Sequence, residues 1–228
     1  MRPTRAAAAL AAAATLALTL SACGTHPGEA ATVGSSPIGT ARLDRVASAL
    51  CSAQARNQQP GQSQEQSSRS NRELALGVLI DSRLSTAYGE AHGIRPSQAQ
   101  LNSAAANRQQ LIASVPQQYR ATLTATLAAL DRSQLTMAEV GRRQLQQSGS
   151  TNITAQTAIP AGLKARNAWV TRHLDVSVDP RFGTFSNGQL KTGGGSLSTA
   201  VSTKAVDGAR TQPPATWIAS LPASQKCS

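Results

Sequence analysis

Between residues 40 and 146 the apolar residues return every three or four positions, and the segments they mark open on helix caps. Leu43, Val46, Ala47, Leu50 and Cys51 follow the i, i+3, i+4, i+7, i+8 rule of one buried helix face. Thr40 caps this first helix, Asp44 lies in its first turn, and it is expected to end near Asn57. A Gln/Ser-rich stretch with Pro60-Gly61 predicts a mobile loop over residues 58–68. Ser70-Asn71-Arg72-Glu73 reads as a capping box. The second helix runs from there to about His92, with Leu74, Val78, Leu84 and Tyr88 toward one side and Gly93 as its stop. Ser97-Gln98-Ala99-Gln100 is another capping box, and Leu101, Ala105, Arg108, Leu111 and Ile112 mark a third helix that Ser114-Val115-Pro116 breaks. Residues 117–146 predict the longest helix, and residues 163–172, with Trp169, a fifth or part of one.

Strands are expected only at the two ends of this helical body. Ala31 and Val33 alternate with Thr32, and a Gly-Ser-Ser-Pro turn follows. Leu174, Val176 and Val178 point one way and Asp175, Ser177 and Asp179 the other. A lone strand cannot satisfy its own backbone, so the strand over about 31–34 is expected to pair with the one over about 174–179. The fold class is therefore mainly α, a multi-helix bundle with a small two-stranded sheet. Only 3% of residues are aromatic, and much of the 40% that is hydrophobic is alanine. Such a chain buries little area per residue, which argues against an ordinary compact enzyme with an aromatic-lined cleft.

The first residues read as an address. Arg2 and Arg5 precede an uninterrupted run of Ala, Leu and Thr over residues 6–20. That run of about 15 residues is too short for a comfortable membrane span, which takes about 20. It ends in Leu20-Ser21-Ala22-Cys23, which resembles the lipobox of bacterial lipoproteins. The resemblance implies that residues 1–22 are a signal peptide, that Cys23 carries diacylglycerol on its sulfur, and that acyl chains such as palmitate hold the protein on the extracytoplasmic face of the cell membrane. Residues 23–29 are then a linker from the lipid. Removing the first 22 residues, with their two arginines, leaves 206 residues and a net charge of +9. Outside the cytoplasm such a charge suits anionic lipid, wall polymers and acidic proteins rather than nucleic acid.

Two further cysteines, Cys51 and Cys227, form an even pair in an exported chain. Either a disulfide ties the C-terminus to the first helix, or Cys51 is a small buried apolar residue and Cys227 a free thiol. His26, His92 and His173 stand far apart and in no metal-ligand spacing, so no metal and no cofactor are expected. No nucleophile-elbow, Walker A or dinucleotide fingerprint occurs, and Gly193-Gly194-Gly195 lies among Ser and Thr as flexible linker. No catalytic residues are assigned, and the protein is not expected to be an enzyme.

Ala31-Thr32-Val33-Gly34, with Pro37-Ile38 and a following helix, resembles the opening of the SurA N-terminal domain family. Leu174-Asp175-Val176-Ser177-Val178-Asp179-Pro180-Arg181-Phe182-Gly183 resembles a segment of actinobacterial lipoproteins of that group. The resemblance implies a helical chaperone module of the SurA and trigger-factor type over residues 30–185, holding unfolded or exported proteins in an open apolar cradle. Larger members also carry a parvulin prolyl isomerase. Only 43 low-complexity residues follow Phe185, too few for that domain. Residues 186–228 are expected to be a mostly disordered tail, except where Trp217, Ile218 and Leu221 dock back near Cys227.

Two other readings compete. One is a non-catalytic envelope lipoprotein that binds a dedicated partner. The other is a binder of anionic wall polymer or lipid through Arg69 and Arg72, or Arg142 and Arg143. The groove residues and the oligomeric state are not legible at this level.

Overall fold

Glu29–Val33 (β1) turns through Gly34 and Ser35 into Ser36–Gly39 (β2), and the computed structural model describes the chain over residues 27–57, 66–192, 200–210 and 212–227. Gly34 takes φ +57, a conformation open to glycine at no steric cost, and so lets the hairpin close. β1 pairs antiparallel with β2 on one edge and with Val176–Val178 on the other. The late strand joins in the register Ala31↔Val178, Thr32↔Ser177, Val33↔Val176. Pairing of an N-terminal with a late strand is as the alternation predicts. The sheet has three strands rather than two, because residues 36–39 form β2 where a turn was expected. Arg83 supports that edge: its guanidinium donates to Ser36 O and, at 2.9 Å, to Pro37 O.

Thr40–Asn57 (α1) follows β2 directly, and Leu43, Val46 and Ala47 bury the expected face. Residues 58–65 lie outside the described residues, and Gln66–Ser67 (β3) leads into Ser68–Ala91 (α2). The cap of α2 is Ser67, whose hydroxyl accepts from Ser70 N at 3.0 Å, and not Ser70. β3 pairs with the C-terminal strand, which fixes the chain's entry and starts the helix earlier than its local sequence suggests. Leu74 is 50% exposed. The buried face of α2 runs instead through Leu76, Leu79, Ile80, Leu84 and Tyr88.

Gln98–Ser114 (α3) opens on the predicted capping box, with Ser97 N donating to Gln100 Oε1 at 2.9 Å. Gln117–Gln147 (α4) is the longest element. Ala155–His173 (α5) begins well before the predicted start and holds Pro160 inside it. A proline removes one helix hydrogen bond, but here the turn is held from outside by α4. A Cβ on Gly141 of α4 would stand 1.8 Å from Ala158 O, and one on Gly162 of α5 would stand 2.0 Å from Met137 O. The two helices therefore meet backbone to backbone.

After Val176–Val178 (β4) comes a 3-10 turn, Pro180–Phe182, then Thr184–Ser186 (β5) and Gln189–Lys191 (β6). Asn187 and Gly188, both at positive φ, make the two-residue turn between β5 and β6. Thr203–Ala209 (α6), Ala215–Ala219 (α7), a 3-10 turn at Ala223–Gln225 and Lys226–Cys227 (β7) complete the described chain. The expectation of a mostly disordered tail from residue 186 is thus corrected in part. β5–β6 is a hairpin packed on the body through Phe185 and Leu190, and β7 pairs with β3. Trp217 docks within its own segment, over Gly208 and on Lys204 O at 2.7 Å, rather than into the core.

Three apolar clusters fill the body. The largest joins the sheet to α1, α2 and α5 through residues such as Ile38, Leu43, Leu76, Ile80 and Val170. A second joins α1 to α4 through Ala49, Ala53, Val115 and Leu123. A third gathers Tyr88, Ile94, Met137 and Val140 against Trp169.

Asp179 follows β4 and caps the turn after it, accepting from Arg181 N at 2.9 Å. The Arg181 side chain, hydrogen-bonded to the same carboxylate, holds Asp179 below the usual aspartate range. The stabilisation this provides is complete at neutral pH and fades as pH falls through the lowered folded-state value. Asp179→Asn should flatten that part of the acid branch of a Tm-versus-pH curve. Parallel acid branches for the two proteins would show that the carboxylate contributes nothing.

Candidate functional site

α3 and α4 are joined by Val115 and Pro116 alone, so they fold back on each other as neighbours. Arg120 fastens the corner, donating from Nε to Val115 O at 3.0 Å and from Nη2 to Ala113 O at 2.9 Å. These carbonyls at the end of α3 have no partner in the helix, and a cation suits them. Yet α3 has no fully buried residue. Its bulkiest apolar side chains, Leu101, Leu111 and Ile112, are only half-buried, and Ala105 and Ala113 are exposed. Between α3 and α4 runs an open groove of about 650 Å³. Leu101, Ala105 and Ile112 line one wall, and Thr124, Leu127 and Ala128 the other.

Several polar groups of the groove are engaged with one another or with backbone: Gln98 Nε2 donates to Asn102 Oδ1 at 2.8 Å and Thr124 Oγ1 to Arg120 O at 2.8 Å. Arg108 grips Asp131 with two nitrogens, Nε at 3.0 Å and Nη2 at 2.5 Å. Asp131 is buried, so this pair consumes the carboxylate and ties α3 to α4 across the groove. Arg132 is exposed and makes no ion pair among the described residues. The result is an apolar trough with cationic edges. Its chemistry is non-directional burial, about 25 cal/mol per Å² of apolar surface, with attraction for negative charge.

A second polar cluster lies deeper. Arg166 of α5 is 3% exposed and donates to Asp81 of α2 and, at 2.8 Å, to Ser85 Oγ. Ser133 of α4 lies 3.0 Å from Asp81 Oδ2 and 2.8 Å from Ser85 Oγ. The network joins three helices through one buried charge. The two described histidines lie elsewhere. His92 caps α2 and stacks on Tyr88 at 4.0 Å, and His173 ends α5 and stacks on Trp169 at 5.1 Å. Each ring's Nδ1 lies on the carbonyl one turn back in its helix. Among the described residues no three His, Cys, Asp or Glu side chains gather as a metal would require.

Cys23, His26 and the 193–195 glycines lie outside the described residues. Cys51 and Cys227 are joined by a disulfide, with Cα atoms 5.5 Å apart. The arginines proposed as an anionic-polymer patch are each engaged: Arg69 with Glu73, Arg72 with Asp44, and Arg142 and Arg143 both with Glu139. The groove itself was not named from sequence. The one hint available was the composition of α3, whose Ala, Gln and Asn residues leave it too few bulky side chains to bury a whole face. No protein-family model matches the chain, and neither a curated protein nor a solved structure matches it.

Proposed function

We propose that this chain is a lipid-anchored, extracytoplasmic lipoprotein whose helical body holds apolar, acidic segments of unfolded or exported proteins in the α3–α4 groove, without isomerase chemistry. The observation that carries this reading is a helix with no fully buried residue beside an apolar trough with arginines on its rim. The resemblance of both sheet segments to SurA N-terminal modules supports it, and so does the Leu20-Ser21-Ala22-Cys23 lipobox. No helix among the described residues is long and apolar enough to cross a membrane, so the anchor in this reading is the acylated Cys23.

The accessible surface of the trough is mainly apolar, so selection among client sequences is weak. Side-chain burial supplies the affinity, and the arginines speed encounter with acidic segments. The test is suppression of aggregation of a chemically denatured, proline-containing protein, with prolyl isomerisation followed in the same assay. The protein should suppress aggregation in a salt-tolerant way and leave the isomerisation rate unchanged. Ala105→Glu with Ala128→Glu, both at exposed positions on the groove walls, should weaken suppression about tenfold, the factor that 1.4 kcal/mol of lost burial and added repulsion represents. Equal suppression by the variant would remove the groove as the site. No suppression by the parent at severalfold excess would overturn the chaperone reading in favour of a dedicated envelope partner. Salt-sensitive binding to anionic wall polymer would overturn it too.

A further inference from the structure

The disulfide is not enclosed in the core. Cys51 and Cys227 are both half-buried, and both line an open cleft of about 780 Å³ between α1, the start of α2, the start of α4 and β7. Among the described residues, Arg56, Arg72 and Lys226 line the same cleft, as does Asp44, which is paired with Arg72. A reachable disulfide in positive surroundings is what an attacking thiolate requires, because the charge draws the anion in and steadies the thiolate that leaves.

The segment that the bond secures is lightly held otherwise. No described residue from 200 to 227 belongs to the three apolar clusters. Trp217, Ile218 and Leu221 remain half-buried. Among the described residues, its hydrogen-bonded ties to the body include the two-residue pairing of β7 with β3, Ser68 Oγ to Lys226 O at 3.3 Å, and Arg69 Nη1 to Gly208 O at 3.3 Å, all at the segment's ends or on its backbone.

We propose that Cys51–Cys227 is a thiol-exchange site, opened by a dithiol reductant, and that opening releases residues 200–227 from the helical body. The reductant's first thiolate attacks Sγ of Cys227, which sits in a short terminal strand able to swing into line. The S–S bond breaks, and Sγ of Cys51 leaves as a thiolate and takes up a proton. The reductant's second thiolate then attacks the mixed disulfide. Cys227 leaves as a thiolate and is protonated, and the reductant departs as its own disulfide. Two electrons pass to the protein and the dithiol is oxidised.

The full oxidised chain, treated with millimolar dithiothreitol in native buffer, tests this. Maleimide labelling mapped by peptide mass spectrometry should report both Cys51 and Cys227 within minutes, while the helical circular dichroism of the body persists. Trypsin should then cut after Lys204 and Arg210 at least tenfold faster than before reduction. Arg56→Gln, at an exposed position on the cleft wall, should slow labelling severalfold. The proposal is overturned if the thiols label only as the helical signal collapses, or if trypsin cuts the reduced and oxidised proteins alike. An unchanged labelling rate in Arg56→Gln would overturn the electrostatic part. Cys51→Ser supplies a second route to the open form, and its 200–227 segment should show the protease sensitivity of the reduced protein.

Discussion

Gly141→Ala is expected to cost about 3 kcal/mol or more of unfolding free energy, the upper end of what overpacking a core produces. Two effects oppose each other at this position. Alanine is the better helix former by about 1 kcal/mol, which favours the substitution. The new methyl, however, would lie 1.8 Å from Ala158 O, 2.6 Å from Ala158 C and 2.8 Å from Gly162 N. All three are backbone atoms of a helix and cannot rotate away, so α4 and α5 must part along their contact. The steric term wins. Gly162→Ala meets Met137 O at 2.0 Å and should behave alike. Gly77 of α2 is the internal control: a Cβ there meets nothing within 4 Å, so Gly77→Ala should stabilise by up to about 1 kcal/mol. Urea unfolding of the three variants decides the matter. A Gly141→Ala protein as stable as Gly77→Ala would show that α4 and α5 do not touch as described.

The second large effect is expected at the buried arginine. Asp81→Ala leaves the Arg166 guanidinium 3% exposed and without its carboxylate. Stranding a buried charge costs about 3–5 kcal/mol. The Asp81 side chain is itself 38% exposed, so water can enter where it was, and the lower end of that range applies. Arg166→Met is the milder change. It removes the charge from the interior, leaves Asp81 within reach of solvent, and leaves Ser85 and Ser133 hydrogen-bonded to each other. The double variant should be less damaged than the two single losses added together, because Arg166→Met removes the charge that Asp81→Ala strands. Additive losses in that cycle would mean that the two side chains are not coupled.

Local rules carried the sequence reading a long way. The α1 face, the α3 capping box, the span of α4 and the partnership of β1 with β4 all follow from spacing and caps that need only a few neighbouring residues. The misreadings share a cause, which is that a distant segment decides. Ser67 and not Ser70 caps α2 because β7 pairs beside it. α5 continues through Pro160 because α4 braces that turn. Leu74 faces water because Ala75, Leu76 and Leu79 bury the opposite side of α2, and a count of leucines does not show which side that is. Asn187-Gly188 was the exception. It is a local hairpin turn between Phe185 and Leu190, hidden only by the low complexity around it. The α3–α4 groove was illegible for another reason: an incompletely buried helix differs from an ordinary one only in what its neighbours fail to cover.

The central place of β1 in its sheet imposes an order on folding during synthesis. β2 leaves the ribosome immediately after β1 and can pair with it across the Gly34-Ser35 turn. The opposite edge of β1 must wait until α1 to α5 have all emerged before β4 arrives to cover it. Contacts of such high sequence separation form late, after most of the chain's loop-closure entropy has been lost. Throughout that interval the chain carries an open strand edge beside other emerging polypeptides, and β4 closes that opportunity for cross-pairing only as the last of the helical body leaves the ribosome.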